Sequence, residues 1–379
     1  MDFSWSKEQS GRYERLLDEV RDVCARTHGE EPAGGRRRHW RSLAELGVLG
    51  SCVPVGYGGQ GLGALDTARS FEALGRGCPH TGLVFGAAAH LFACAMPIAE
   101  FGSPDLRAEL LPKLCAGEAV AGNAMTEPEA GSDVSVLAAR ARRVAGGWVL
   151  TGEKSFVSNG PVADVFLTYV TTRPEAGYFG QTAFVVDRTA PGVHVGTPLA
   201  KLGLDDCLAA AVRFEDCFVP DGRVLGDPGQ GGPIFQHSMG WERACLFAGY
   251  LGLADRVLEQ VTEHVRARRQ SGEPISRFQA VSHRVADMAL RTESARLLLY
   301  RACWLIDQGE RAVLATALSK LAVSEGVLHS ALDAVRLFGA RGYLRGDGIE
   351  AALRDAVPSV IFSGTSDIQR QLIARELGL

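Results

Sequence analysis

The sequence has no Cys-x-x-Cys pair among its nine cysteines, and none of its nine histidines stands at metal-ligand spacing from them. A zinc site is therefore not expected, no metal is assigned, and the scattered thiols are expected to be reduced in a cytoplasmic setting. Basic excess is also missing: 40 Lys and Arg face 44 Asp and Glu, for a net charge of -4. Nothing global points to nucleic acid. Met1 to Glu8 holds an acid and no apolar core, so no signal peptide is expected there. The most apolar stretch, Gly82 to Ala99, is broken by His90 and Pro97 and is rich in Gly and Ala. Spanning a bilayer takes about 20 largely uninterrupted apolar residues. A buried helix is expected instead, with no membrane partner.

What is present is length enough for a large core: 379 residues suit two or three domains. Tyr13, Leu16, Leu17 and Val20 recur at helical spacing within Ser6 to Ala25, and Trp40, Leu43, Leu46 and Leu49 form a second such face. Gly50 to Gly63 is a glycine-rich loop. No strand-to-helix unit surrounds its Gly-x-Gly pattern, so it reads as an interhelical turn, not a phosphate site. Helical patterns resume over Asp66 to Leu74, Leu83 to Glu100 and Ser103 to Cys115.

From Ala119 to about Leu225 the pattern shortens. The runs Arg140 to Val144, Trp148 to Thr151, Val165 to Val170, Ala183 to Asp187, Val193 to Val195 and Ala210 to Phe214 are β-branched or aromatic and bounded by turn residues. They predict a small β-barrel or sandwich. After a glycine-rich linker, Gly226 to Gly232, long apolar stripes return: Leu251, Ala254, Leu258, Val261 and Val265; Val281, Val285, Met288, Thr292, Ala295 and Leu299; Leu321, Ser324, Leu328, Ala331, Val335 and Phe338. Gly364-Thr365-Ser366 caps a last helix through Leu377. The reading is an α+β chain: a helical domain over 1–118, a β domain over 119–228 and an antiparallel four-helix bundle over 229–379.

Two loops stand out between the strands. Met125-Thr126-Glu127-Pro128-Glu129-Ala130-Gly131-Ser132-Asp133 ends an apolar run in hydroxyls, proline and glycine, and Lys154-Ser155-Phe156-Val157-Ser158-Asn159-Gly160 sets an aromatic beside a hydroxyl. Such loops suit a polar, planar ligand. With Tyr57-Gly58-Gly59-Gln60-Gly61-Leu62, Leu111-Pro112-Lys113-Leu114-Cys115-Ala116-Gly117-Glu118, Arg268, Phe278-Gln279 and Gly364-Thr365-Ser366-Asp367-Ile368-Gln369-Arg370, they occur in one order along nearly the whole chain. In this the sequence resembles the acyl-CoA dehydrogenase family. Two departures are Phe156, where that family has tryptophan, and Ser363, where most members carry the catalytic glutamate.

The resemblance implies FAD and the α,β-dehydrogenation of a thioester, with an α-proton taken by a carboxylate and hydride passed to flavin. A serine cannot serve as that base without a base of its own. The isovaleryl-CoA and long-chain members place the base in a Glu-Arg pair, and Trp241-Glu242-Arg243-Ala244-Cys245-Leu246-Phe247-Ala248-Gly249 resembles that segment. Glu242 is thus expected to be the catalytic base. Placed at a helix N-terminus, its anion would gain roughly 0.3–1 kcal/mol from the macrodipole, leaving apolar neighbours to set its pKa. The bland alternative is a solvated helix start. The Ser363 backbone N–H is expected as an oxyanion donor, and the short serine side chain as room beside the flavin for a branched or cyclic substrate.

For the cofactor, the resemblance implies Met125, Thr126, Gly131 and Ser132 of the first loop, Phe156 against the ring and Ser158 at its polar rim. Arg268, Gln279 and Thr365 would reach the cofactor of a neighbouring subunit, with Asp367 a further cofactor residue. Shared sites imply an oligomer, a dimer or a dimer of dimers (homotetramer) by resemblance. The Glu-Arg base and Ser363 look similar to enzymes acting on aminoacyl groups held on carrier proteins, especially L-prolyl groups on the way to a pyrrole-2-carboxyl thioester. The expected partner is an acyl or peptidyl carrier protein bearing a phosphopantetheine thioester, or acyl-CoA, with an electron-transfer flavoprotein or O2 as acceptor. Arg36-Arg37-Arg38 with Arg41, or Arg266 with Arg269, are candidates to dock an acidic carrier. The rival readings are a short branched-chain acyl-CoA dehydrogenase, a flavin monooxygenase of the same fold, and an idle flavoprotein subunit.

Overall fold

The first helix, α1 (Lys7–Arg26), opens on a reciprocal capping box: Gln9 N–H donates to Ser6 Oγ at 3.1 Å and Ser6 N–H to Gln9 Oε1 at 3.1 Å. Its buried face is Leu16, Leu17, Val20 and Cys24, the stripe that the spacing predicts. The computed structural model describes residues 5–26 and 32–379, with side chains described for 5–26 and from His39 onward. Arg36, Arg37 and Arg38 thus lie outside the described side chains, whereas Arg41 is exposed. Next come α2 (Pro32–Glu45), α3 (Ala64–Gly77), α4 (Thr81–His90), α5 (Met96–Phe101) and α6 (Pro104–Cys115), the last capped by Ser103 Oγ, which accepts from Leu106 N–H at 3.2 Å.

The helix pair α4 and α5 joins through a π turn, Leu91–Ala95, into one apolar rod from Thr81 to Phe101. By length and composition it is able to cross a membrane, but 94 % of its most apolar window is buried inside the protein. It is the central helix of the N-terminal layer, as the Gly and Ala content predicts.

The strands β1 (Ala121–Ala124), β2 (Arg140–Val144), β3 (Gly147–Ser158), β4 (Val165–Thr171), β5 (Gln181–Asp187), β6 (Val193–Val195), β7 (Ala209–Pro220) and β8 (Val224–Leu225) form one sheet. Their order is β6-β7-β3-β2-β4-β5-β8, and β1 pairs parallel to β4. Every residue of β4 is buried because the strand serves two cores. Phe166 and Val170 face the cluster within the β domain, with Phe184 and Phe214, while Val165, Leu167 and Tyr169 face the helices. The run Trp148 to Thr151 does not end before the second loop, as expected; β3 continues to Ser158. Its pairing with β7 slips between Lys154 and Val157 and resumes at Val157↔Ala210, so the loop is a bulge within a strand.

The C-terminal part begins with α7 (Gly231–Trp241), a π turn at Glu242–Leu246, and α8 (Phe247–Ala267). A two-stranded ribbon, β9 (Arg269–Gln270) and β10 (Glu273–Pro274), leads to α9 (Gln279–Asp307), α10 (Val313–Phe338), α11 (Ala340–Tyr343), α12 (Ile349–Ala356) and α13 (Ser366–Glu376). The long α8, α9, α10 and the final α13 make the bundle. Helix α8 also lies against α3, through glycine. A Cβ on Gly252 would sit 2.2 Å from Glu72 O, and one on Gly75 would sit 2.0 Å from Gly249 O. Only bare backbones approach this closely.

Candidate active site

Glu242 is not at a helix start, as expected from the Glu-Arg pair. It lies eleven residues beyond the first residue of α7, inside the π turn that joins α7 to α8. The macrodipole fades within the first turn, so it contributes little there. Burial dominates: the residue is 7 % exposed, and its carboxyl is pushed up to about 7, against the lowering effects of a Ser363 hydrogen bond and the Arg243 charge. Local wide-helix turns of this kind recur at functional sites. The second π turn, Leu91–Ala95, packs directly against this one.

The two carboxylate oxygens differ. Ser363 Oγ donates to Glu242 Oε2 at 2.8 Å, whereas Oε1 is buried without a hydrogen-bond partner among the described residues. Ser363 itself has a left-handed φ of 52°. Its carbonyl accepts from Arg243 Nε at 3.3 Å and from Gln369 Nε2 at 3.2 Å. Among the described residues no acceptor is found for its N–H. The expected open space beside the flavin is thus partly replaced by a contact: the serine hydroxyl is on the carboxylate.

The surroundings are aromatic and cationic. Phe362 rests 4.6 Å from Phe85, 5.5 Å from Phe247 and 5.9 Å from Tyr250, centroid to centroid. Arg243 is buried, which lowers its pKa. Lys320 is fully buried, finds no hydrogen-bond partner among the described residues and holds its ammonium 5.3 Å from the Phe247 ring centroid. Burial first, then Arg243, pushes it down to about 8.

The two loops meet. Ser155 N–H donates to Thr126 O at 2.7 Å, so the bulge of β3 is tied to the end of β1. Behind them Lys154, fully buried, donates to Glu127 Oε1 at 2.7 Å, Met125 O at 3.1 Å and Tyr169 O at 2.6 Å. Met125 is buried, Thr126 and Ser158 are half-buried, and Gly131, Ser132 and Phe156 are exposed. Phe156 is 68 % exposed with φ 55°, and no atom comes within 4 Å of the place where a Gly131 Cβ would stand. An exposed phenyl face and half-buried hydroxyls beside open backbone fit a flavin ring and its polar edge.

The remaining cofactor candidates lie elsewhere. Arg268 ends α8, Gln279 begins α9, and both are exposed; Asp367 is exposed and paired with Arg370. Thr365 caps α13, its Oγ1 accepting from Ile368 N–H at 3.2 Å. No hydrogen bond or ion pair among the described residues joins these four to the two loops. Lys154, Glu127, Arg243 and Gln369 carry no predicted role; flanked by Glu153 and Ser155, Lys154 gives no local sign of its burial. A separate cavity of 670 Å³, lined by Trp40, Leu83, Gly86 and Asn159 among others, does not include Glu242 or Ser363.

Known proteins match this architecture along its length. The family described as acyl-CoA dehydrogenase matches in three parts: its N-terminal domain over residues 12–118, its middle domain over 122–217 and its C-terminal domain over 229–378. An L-prolyl-[peptidyl-carrier protein] dehydrogenase of Pseudomonas fluorescens is 53 % identical over 380 residues, covering 100 % of both chains. A solved structure described as PigA with FAD and proline is 42 % identical with a TM-score of 0.97, covering 100 % of both. Another, the prolyl acyl carrier protein oxidase AnaB, is 36 % identical with a TM-score of 0.95 over 99 % of this chain and 100 % of that one.

Proposed function

The chain belongs to the acyl-CoA dehydrogenase family, and within it we propose that this protein is an FAD-dependent dehydrogenase of L-prolyl groups held as thioesters on a carrier protein. The observation that carries the chemistry is the buried Glu242 carboxylate, with one oxygen held by Ser363 and the other unpaired. An enolate-forming step needs a base whose pKa lies near the working pH, and a value of about 7 meets that need.

Glu242 Oε1 takes the prolyl α-proton. The Ser363 N–H donates to the thioester oxygen as negative charge builds on it. Bound FAD supplies the acceptor for the ring hydrogen that leaves as hydride. Thr126, Ser132 and Ser158 would hold its polar groups, Met125 and Gly131 the backbone beside it, and Phe156 would offer its ring an apolar face. Conversion of the prolyl ring to a pyrrole is a four-electron change, so before the second two-electron oxidation Glu242 must return its proton to solvent and an external acceptor must take the first electron pair. The second proton then leaves another ring position, because the α-carbon has already given up its hydrogen. The aromatic group of Phe85, Phe247, Tyr250 and Phe362 beside Ser363 supports a compact, ring-sized acyl site.

The same reading makes the protein a homo-oligomer, a homotetramer by family analogy. Arg268, Gln279 and Thr365, which no hydrogen bond or ion pair among the described residues joins to the loops of their own chain, serve a neighbour's cofactor, where a guanidinium suits a pyrophosphate. Leu290, Leu297 and Trp304, exposed by 66 %, 46 % and 47 %, recur every seven residues along α9 and supply an apolar face for a second copy. Arg41, Arg266 and Arg269 are exposed and available to an acidic carrier.

Anaerobic mixing of the yellow protein with L-prolyl carrier protein, isovaleryl-CoA and butyryl-CoA tests the assignment. Bleaching by the prolyl carrier alone is expected; bleaching by an acyl-CoA alone contradicts it. Admitting air, or an electron-transfer flavoprotein without air, then identifies the acceptor by which of them restores the colour.

A further inference from the structure

The contact between Ser363 and Glu242 does more than fill space. We infer that the Ser363 hydroxyl is a positioning group for the base, holding Oε2 so that Oε1 is the one carboxylate atom left to accept a proton. This rests on the reading of Glu242 as base. The geometry is specific: the Oγ donor lies 2.8 Å from Oε2, and Oε1 is buried with no partner among the described residues.

The hydroxyl is presented by a backbone that the surroundings fix. A serine with φ 52° sits in a sparsely populated region, and such conformations persist where neighbours over-determine them. Here the Ser363 carbonyl is held by Arg243 Nε at 3.3 Å and by Gln369 Nε2 at 3.2 Å, and Gln369 Nε2 also reaches Gly364 O at 3.0 Å. Arg243 belongs to the same π turn as Glu242. The base and its holder are therefore fastened to one another twice, through side chain and through backbone.

Such a bond favours the ionised carboxylate, because a hydroxyl donates more strongly to a carboxylate than to a carboxylic acid. It acts against burial, the larger influence on Glu242. The other groups that sense this carboxylate are Arg243 beside it, Cys94 on the facing π turn and Tyr169 of β4; burial raises Cys94 and Tyr169, which stay neutral across the working range. From α10, Lys320 lies against Arg243.

The test is a titration of the Glu242 carboxyl in the flavin-loaded protein by infrared difference spectroscopy, with Glu242→Gln identifying the band, alongside the pH profile of anaerobic flavin reduction. Ser363→Ala and Ser363→Gly both remove the hydroxyl, but only glycine is at ease at φ 52°. Both are expected to move the carboxyl midpoint, and the rising limb of the rate profile, upward by about one pH unit, the scale of one hydrogen bond to an ionised group. The substrate amine titrates alike in all variants, so the displacement belongs to the enzyme. An unchanged midpoint in both variants overturns the inference while leaving the base in place. Full flavin reduction by Glu242→Gln removes instead the base reading on which it rests.

Discussion

Lys154 Nζ and Glu127 Oε1 stand 2.7 Å apart with their side chains 0 % and 3 % exposed, directly behind the loop that follows β1. Glu127 also accepts from Ala138 N–H at 2.5 Å and Ala139 N–H at 3.1 Å, so one carboxylate ties Lys154 to the strand entry at β2. Burial pushes the lysine down to about 8, opposed by Glu127. A buried charge pair of this kind is held in place because each partner satisfies the other.

Lys154→Met is therefore expected to leave Glu127 as a buried, unpaired charge and to release the Met125 carbonyl. A loss of about 3–5 kcal/mol follows from breaking such a pair from one side. Chemical denaturation measures the stability, and the retained yellow colour after gel filtration measures the cofactor. Lower stability together with a weakened hold on flavin is the expected result.

The pH dependence of flavin reduction follows from Glu242. A carboxyl raised by burial to about 7 is protonated, and unable to accept the substrate proton, below that value. The first-order rate of anaerobic reduction should rise with pH through about 7 and level off above it, the sign required of a base. Stopped-flow measurement between pH 5.5 and 8.5, about 1.5 units to either side, covers the limb.

Gly252→Ala probes the contact between the N-terminal layer and the bundle. Its new Cβ would meet Glu72 O at 2.2 Å and Arg76 N at 2.5 Å, both backbone atoms that yield only if α3 and α8 separate. Overpacking of this kind costs typically about 1–3 kcal/mol, and thermal unfolding should show it as a lower Tm.

Leu297→Glu places a charge in the middle of the exposed α9 stripe. Sedimentation velocity is expected to show a smaller species than the unaltered protein. Because Arg268, Gln279 and Thr365 are read as serving a neighbour, that smaller species should also bind FAD more weakly. A monomer that keeps full affinity for FAD would contradict the sharing of sites.

Much of this was readable from residue order. The capping pattern at Thr365, the stripes of α8 and α9, and the strands at Arg140–Val144 and Val193–Val195 are short-range signals, set by caps and periodicity. On α10 only Ser324 and Ala331 of the expected stripe are buried, the face being turned toward Val323, Val327, Ala334 and Leu337. The π turn at Glu242 was not readable, because an extra residue in a helix leaves no local mark and depends on packing against the turn at Leu91–Ala95. Strand β3 outran its expected end for a similar reason: Phe156 and Ser158 remain in the sheet only because β7 offers Ala209 and Ala210 beyond a bulge. The Ser363 contact spans 121 residues, and the sequence marks only the missing glutamate, not the replacement's grip on Glu242.

The most direct measurement is the first-order rate of flavin bleaching when anaerobic Glu242→Gln protein is mixed with L-prolyl carrier protein. Glutamine keeps the size of the side chain and removes its basicity, so the flavin should remain bound and yellow while reduction falls by about 100- to 10,000-fold, the range typical of a positioned general base. Bleaching at the unaltered rate would contradict the central claim that this buried carboxylate is the base.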